Sequence, residues 1–529
     1  MTRTTRTAPR APIVANPGRR ASEYSDRVMF RDRYFQALLV LLGLWVLFGI
    51  LVMGFWPLPD LDGDEAWNAS VALGLLKYGY CRSGLLAGSS LESLGGSVGF
   101  SWWTYFASVA FFIKLMGTNL FAVRLPSLIT GLFAVFLTFK LAESFFEAKT
   151  GFFAALALML SASFTGLSHY GRPEIMVALG FVLVTYLCLP EPHVPWKVFL
   201  AGFLGTALFT VHPVGLAVGI AALLFPLITW KPGALGWTAI GFLSGSILLF
   251  FTNYLPFIGQ RAFPDFQYHY ELQFLPGLLL KNPLAVPFKL LKRIALDIPW
   301  QVIPMYGFWT PCVAALGLGG LFLARNRRLG IFFVLLLVAT ALWFPRFRYS
   351  YFVMFLPFLA VGFGALVAQL GPRLRWILLA LIFIPEIYYA QRELRLAWRQ
   401  ASNQARVYRE IADAIPGDAR VLGTSTRFFW PLGERYGFPA SPDYVSGKVS
   451  LPDFMRTRGA EYLVIEEHDY PALPVEDLER QNPNANQNFA KSMDVFEADL
   501  FSDTLVFTPV REITGGYLDV RKVMVYRLR

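Results

Sequence analysis

A succession of apolar runs, each close to the thickness of a bilayer, constrains this chain more than any other feature. The first covers about 34–56. Others lie near 122–142, 151–168, 175–190, 197–211, 213–230, 234–253, 302–324, 329–344, 347–369 and 374–391. A helix needs about 20 apolar residues to cross the hydrocarbon core, and backbone inside lipid must satisfy its own hydrogen bonds. The runs therefore predict a polytopic α-helical membrane protein. Composition agrees: 55% of the 529 residues are hydrophobic and 16% are charged, too apolar for a soluble protein.

Charge orients the bundle. Residues 1–34 hold eight arginines and no apolar core, so they read as a disordered, basic cytoplasmic arm and not as a cleavable signal peptide. One stretch, Phe100–Met116, decides the number of spans. If it crosses, there are about twelve helices; if it lies along the interface, about eleven. With eleven, the Arg-rich loops Ala324-Arg325-Asn326-Arg327-Arg328 and Gly371-Pro372-Arg373-Leu374-Arg375 share the cytoplasmic side with the N-terminus, as basic loops do. Ser101-Trp102-Trp103-Thr104-Tyr105 then forms the aromatic belt of an interfacial helix, and Pro283–Ile294 suggests a second one. The loops 57–121, 169–174, 212–213, 254–301 and 345–348 all fall on the outer face.

From about residue 395 the chain turns soluble. Residues 395–529 carry 17 basic and 19 acidic side chains, so the net charge of +11 belongs to the membrane part. There it serves orientation and contact with membrane lipids, and no soluble basic domain exists to bind nucleic acid. The patterns predict a helix over Gln404–Ala414 ended by Pro416-Gly417, strands over Arg420–Gly423, Glu461–Ile465, Thr504–Thr508 and Val520–Leu528, and a helix over Leu451–Arg458. The expected organisation is a basic arm (1–34), a transmembrane domain (35–394) and a small extracytoplasmic α/β domain (395–529). Cys81, Cys188 and Cys312 are far apart, and neither a disulfide framework nor a zinc pattern follows.

Three polar groups fall on the outer face. Leu61-Asp62-Gly63-Asp64-Glu65-Ala66-Trp67-Asn68 places carboxylates just after the first span, at the N-terminus of an apolar stretch Ala66–Leu76. They are either a solvated loop or, held at a helix end beside a partly dry surface, a site for base chemistry. Ser168-His169-Tyr170-Gly171-Arg172-Pro173-Glu174 sets ionisable residues where two spans meet. It is either an Arg172–Glu174 pair or helix cap, or it supplies a second acidic group facing Asp64. Arg346, Arg348 and Tyr349 either snorkel to the interface or clamp a phosphate, which arginine holds by paired hydrogen bonds. His169 and His212 are either structural or contacts for substrate or metal. Glu92, Lys77, Arg82, Arg261, His269 and Glu271 are candidates by location alone.

The order of these motifs carries a resemblance. Asp64-Glu65-Ala66 follows the first span. Phe121-Ala122-Val123-Arg124-Leu125-Pro126-Ser127, Gly171-Arg172-Pro173-Glu174, and Arg346-Phe347-Arg348-Tyr349 running into Phe355-Leu356-Pro357 come after it. Over roughly 35–395 this resembles the polytopic GT-C glycosyltransferases of the protein O-mannosyltransferase and aminoarabinose (lipid A) transferase type. The resemblance implies an enzyme that moves a hexose or pentose from a polyprenyl-phosphate carrier to a lipid, glycan or protein acceptor on the extracytoplasmic face of a bacterial-type plasma membrane. It implies Asp64 as catalytic base, with Glu65 beside it and Glu174 as the second acidic residue. Arg172, Arg346, Arg348 and Tyr349 are then the candidate contacts to the donor phosphate. No particular cofactor follows: either arginines or a divalent metal held by the carboxylates stabilises the leaving phosphate. The chain departs from the family in two places. Glu174 stands where an aspartate is usual, which moves the carboxylate by about 1–1.5 Å. Gly95-Gly96-Ser97-Val98-Gly99-Phe100-Ser101-Trp102 lacks the Lys-Pro-Pro or His-Pro-Pro step, so a phosphate contact from that lysine must come from elsewhere, with Arg346 and Arg348 the candidates. Two other readings stand beside the enzyme: a transporter or flippase of lipid-linked sugars, and a non-catalytic membrane scaffold. Transporters gather their charges near the bilayer midplane, whereas these gather at one face.

Overall fold

The computed structural model describes residues 32–55, 64–83, 85–87, 103–255, 292, 309–323, 327–343, 349–423, 425–439, 450–468, 507–517 and 520–529. Asp62, Glu92, Arg261, His269, Glu271, Arg346 and Arg348 lie outside these residues, as do the N-terminal arm, Gly95–Trp102 and most of loop 254–301. Of Tyr349 only the backbone is described.

Helices dominate. In chain order they are α1 (Arg33–Ile50), α2 (Asp64–Tyr78), α3 (Trp103–Met116), α4 (Leu120–Phe145), α5 (Ala148–Leu160), α6 (Ala162–Ser168), α7 (Pro173–Cys188), α8 (Pro195–Ala207), α9 (Leu216–Ile228), α10 (Pro232–Leu249), α11 (Trp309–Leu323), α12 (Arg327–Trp343), α13 (Leu356–Gln369) and α14 (Pro372–Ala414). Their starts follow the sequence chemistry. Asp32 caps α1 by accepting from the Tyr34 and Phe35 amides, and Asn119 caps α4 through the Ala122 amide. Proline opens α7, α8, α10 and α14, where its missing N–H has no partner to lose.

The outward faces are as apolar as the inward ones. In α1, Phe35, Leu38, Leu42 and Trp45 are buried, while Val40, Leu44, Leu47 and Phe48 are exposed. Trp237, Ile240, Leu243 and Ile247 are exposed on α10, and Leu374, Trp376, Ile377 and Leu381 on α14. Water does not tolerate such bands, but lipid does. Among the described residues, Arg33–Gly54, Leu120–Phe145 and Pro232–Thr252 are long and apolar enough to cross a membrane. The pair α5 and α6 makes a fourth if it counts as one bent span.

That pair departs from expectation. The single run read over 151–168 bends by 68° at Ser161. The Thr165 hydroxyl donates to the Met159 carbonyl at 2.6 Å, and Trp45 Nε1–H donates to Thr165 Oγ1 at 3.1 Å. A side chain thus takes up backbone capacity that the break releases. The short α6 then delivers His169–Arg172 to the site.

The C-terminal part is built on one six-stranded sheet in the order β1-β3-β2-β4-β6-β5. Its strands are β1 (Leu86–Ala87), β2 (Val421–Gly423), β3 (Tyr436–Pro439), β4 (Tyr462–His468), β5 (Phe507–Tyr517) and β6 (Val520–Leu528). Neighbours from β1 to β4 run parallel, while β6 pairs antiparallel with both β4 and β5. Val407 and Ile411 of α14 join Val421, Val464, Val523 and Val525 in one core. On the other face Leu451, Phe454 and Met455, from the helix Leu451–Thr457, pack with Leu422, Leu463 and Ile465.

Two connections tie the layers together. Residue 395, where composition turns soluble, lies inside α14, whose 43 residues make a rod about 65 Å long. The predicted helix Gln404–Ala414 is the end of that rod. Strand β1, unforeseen in the sequence, comes from the segment after α2 and pairs Leu86 with Phe438 and Ala87 with Pro439. At the turn between them Gly79 adopts φ 78°, and Gly74 leaves room for the Arg82 carbonyl where a Cβ would come within 1.9 Å. The Ser70 and Ser83 hydroxyls are 2.8 Å apart, and Lys77 pairs with Glu434 of the C-terminal part at 2.8 Å.

Candidate active site

The site grows from the first turn of α2. Asp64 and Glu65 both lie there, where the helix dipole favours negative charge. Adjacent helical residues point about 100° apart, so the two carboxylates meet different surroundings. The Asp64 side chain is 47% exposed, whereas Glu65 is 1% exposed.

Glu65 is a fastener. Arg124 of α4, itself fully buried, donates from Nε to Glu65 Oε1 at 2.6 Å and from Nη2 to Oε2 at 2.5 Å. The Gly171 amide also donates to Glu65 Oε1, at 2.8 Å, and Asn68 Nδ2 donates to the Gly171 carbonyl at 2.8 Å. The Arg124 guanidinium stacks over the Tyr170 ring at 5.1 Å. Gly171 has no space for a side chain, since a Cβ would lie 2.7 Å from Val123 Cγ1. One residue further, the Ser127 hydroxyl accepts from the Arg172 amide and donates to the Arg172 carbonyl, both at 3.0 Å. Side chains of α2 and α4 thus hold the backbone of residues 171 and 172 on three sides.

This clamp aims Arg172. Its Nη1 is hydrogen-bonded to Asp64 Oδ2 in an ion pair, and its Nε lies 3.5 Å from Glu174 Oε2. Arg172 and Glu174 are both buried. One guanidinium therefore stands between two carboxylates, one facing outward and one enclosed at the first turn of α7. Tyr105 of α3 is fully buried beside this group, and burial pushes its phenol well above the usual range, so it stays protonated.

The structure brings Asp64, Glu65, Arg172 and Glu174 together, while the two histidines make other contacts. His169 packs against Trp45 and Phe48 of α1, with ring centroids at 5.6 and 5.8 Å. Burial, reinforced by the nearby Arg124 charge, lowers its pKa to about 4, so the ring is neutral at pH 7. His212 caps the turn after α8 by accepting from the Val214 amide at 3.2 Å, and its ring lies 5.2 Å from Tyr351. Lys77 belongs to the contact with the C-terminal part. Among the described residues no three His, Cys, Asp or Glu side chains converge to hold a metal ion. Within the trio a guanidinium already sits between Asp64 and Glu174, so this pair does not present an open metal-binding set.

Sequence reading missed Arg124, Asn68, Ser127 and Tyr105 as site residues. Arg124 carried a signal, because an arginine near the start of an apolar run must find a buried counter-charge. Asn68 and Ser127 carried none, since their roles depend on where residues 171 and 172 arrive in space.

Comparison with known proteins concerns the fold. Residues 104–255 match the family model described as dolichyl-phosphate-mannose-protein mannosyltransferase. No curated protein matches the sequence. The structure is similar to that of ArnT from Cupriavidus metallidurans bound to undecaprenyl phosphate, with TM-score 0.60 and 14% identity over 93% of this chain and 98% of that one. It is also similar to the Archaeoglobus fulgidus oligosaccharyltransferase in complex with Zn and sulfate, with TM-score 0.50 and 12% identity over 80% of this chain and 67% of that one. The chain thus carries the GT-C glycosyltransferase fold.

Proposed function

We propose that this protein is an integral-membrane glycosyltransferase that moves a sugar from a polyprenyl-phosphate carrier to an acceptor on the extracytoplasmic face, with Asp64 as the base. The observation that carries the reading is the Asp64–Arg172–Glu174 row, in which an outward-facing carboxylate is fixed beside a cation. The match to undecaprenyl-phosphate-bound ArnT supports the donor class.

The acceptor oxygen attacks the anomeric carbon while Asp64 takes its proton. The bond between that carbon and the phosphate oxygen breaks, and polyprenyl phosphate departs from the opposite side, so the anomeric centre inverts. The leaving phosphate needs charge stabilisation and no proton. Arg172 supplies part of it, with Arg346, Arg348 and Tyr349 completing the contact. Glu65 keeps α2 in place through Arg124 and Gly171. Glu174 holds Arg172 and does not attack the sugar.

The ends of the helices support this orientation. Lys149, Lys231, Arg328 and Arg375 gather at the end opposite Asp64, where Glu191 pairs with Arg328 at 2.8 Å and Lys231 at 3.2 Å. Basic ends of this kind face the cytoplasm, which supports the reading that Asp64 and the sheet lie outside a bacterial-type plasma membrane. The acceptor is a hydroxyl or phosphate of a lipid, glycan or protein.

Two measurements test the reading. Purified protein should release polyprenyl phosphate from a polyprenyl-phosphate sugar in the presence of cell-envelope acceptors. Mass spectrometry of envelope glycans and glycolipids should lose one sugar when the gene is deleted. No donor turnover with any polyprenyl-phosphate sugar, together with an unchanged envelope, would end the proposal in favour of a transporter or scaffold.

A further inference from the structure

We propose that Asp64 and the donor phosphate compete for Arg172, and that the guanidinium passes from the carboxylate to the phosphate as the reaction proceeds. The inference rests on the reading of Asp64 as base.

Three observations carry it. First, Arg172 bonds Asp64 through Nη1 while its Nε edge faces Glu174 at 3.5 Å. A guanidinium presents two donor edges at once, so it can release one partner while the other retains it. Second, the backbone of Arg172 is fixed by the paired Ser127 bonds, and that of Gly171 by Glu65 and Asn68. Any exchange therefore takes place at the end of the side chain and requires no movement of α7. Third, Asp64 is half exposed while Arg172 and Glu174 are buried, so an incoming phosphate meets the Asp64 side of the guanidinium.

Charge balance gives the exchange its direction. A carboxylate bonded to a guanidinium is a poor base, because taking up a proton breaks that bond. A glycosyl polyprenyl phosphate carries one negative charge. When the acceptor O–H breaks, its proton neutralises Asp64; when the anomeric C–O bond breaks, the phosphate gains the second charge. Negative charge moves from carboxylate to phosphate, and Arg172 follows it. Glu174 keeps the cation in the site throughout. The neighbouring charges do not disturb the transfer, because Glu65 and Arg124 pair with each other.

The test is equilibrium binding of undecaprenyl phosphate to the full-length protein in nanodiscs, with undecaprenol as the phosphate-free control. Asp64→Asn removes the competitor and should lower the Kd about tenfold. In an Arg172→Gln background the same Asp64→Asn change should have no effect on Kd. If Arg172→Gln alone leaves Glu174 too exposed in charge to fold, Arg172→Gln/Glu174→Gln removes both charges and serves as the background. Undecaprenol binding should be the same in all variants. An unchanged Kd in Asp64→Asn overturns the proposal. Equal tightening with and without Arg172 also overturns it, because that outcome is simple charge repulsion. Retained transfer by Asp64→Asn would instead overturn the base assignment, so the two failures are distinct.

Discussion

The pair that holds the site together offers a test that needs no substrate. Glu65→Gln keeps the shape of the side chain and removes its charge. Arg124 is then left fully buried without its counter-charge, and the Glu65 contacts at 2.5, 2.6 and 2.8 Å weaken together. Breaking a buried ion pair on one side costs about 3–5 kcal/mol, because the abandoned charge remains desolvated. The cost falls on the membrane domain, where α2, α4 and residues 169–172 meet. Thermal unfolding of the detergent-solubilised protein, read by size-exclusion chromatography after heating, should show a midpoint lower by several degrees. Glu65→Met/Arg124→Met removes both charges and fills the space with apolar atoms, a change that often restores stability. Activity should not return, because Gly171 still lacks its Glu65 contact and Arg172 loses its aim. Wild-type stability in the single variant would refute the fastening role. So would full activity in the double variant.

Other expectations follow from single contacts. Gly171→Ala must push Val123 Cγ1 away from 2.7 Å; donor turnover should fall at least tenfold, and an unchanged kcat would show that this loop is less constrained than its bonds imply. His169 stays neutral when folded to about pH 4 but takes a proton near pH 6.5 when unfolded. The unfolded state then binds more protons in that window, so stability should decline as pH falls from about 6.5 to about 4, and less so in His169→Phe. Melting scans across that range check the slope. The Lys77–Glu434 pair is exposed on both sides, so Lys77→Met should leave both the melting midpoint and turnover close to wild type, with no added sensitivity to salt.

Much of this architecture was legible in the sequence. The apolar runs became helices because helical backbone satisfies itself in lipid, and the caps at Asp32 and Asn119 mark starts that residue chemistry announces. The gathering of Asp64, Arg172 and Glu174 was readable because all three sit at span ends on one face. The bend at Ser161 was not readable, since Leu160 and Ala162 are apolar on both sides and hydrophobicity does not register a change of axis. Strand β1 is two residues long, and its partner β3 lies some 350 residues away in the chain, so no local pattern announces the pairing. The division of labour between Asp64 and Glu65 lies between these cases. Both read as acids of one motif, but once the helix is seen to begin at Asp64, its turn per residue sends Glu65 inward to Arg124 and leaves Asp64 facing out.

The most direct test of the account is single-turnover transfer by Asp64→Asn at saturating polyprenyl-phosphate sugar. Asparagine keeps the size of the side chain and cannot act as a base. The rate of sugar transfer should fall by about 10²–10⁴-fold while the donor still binds. A transfer rate within a few-fold of wild type, with the donor site saturated, would contradict the role of Asp64 as base.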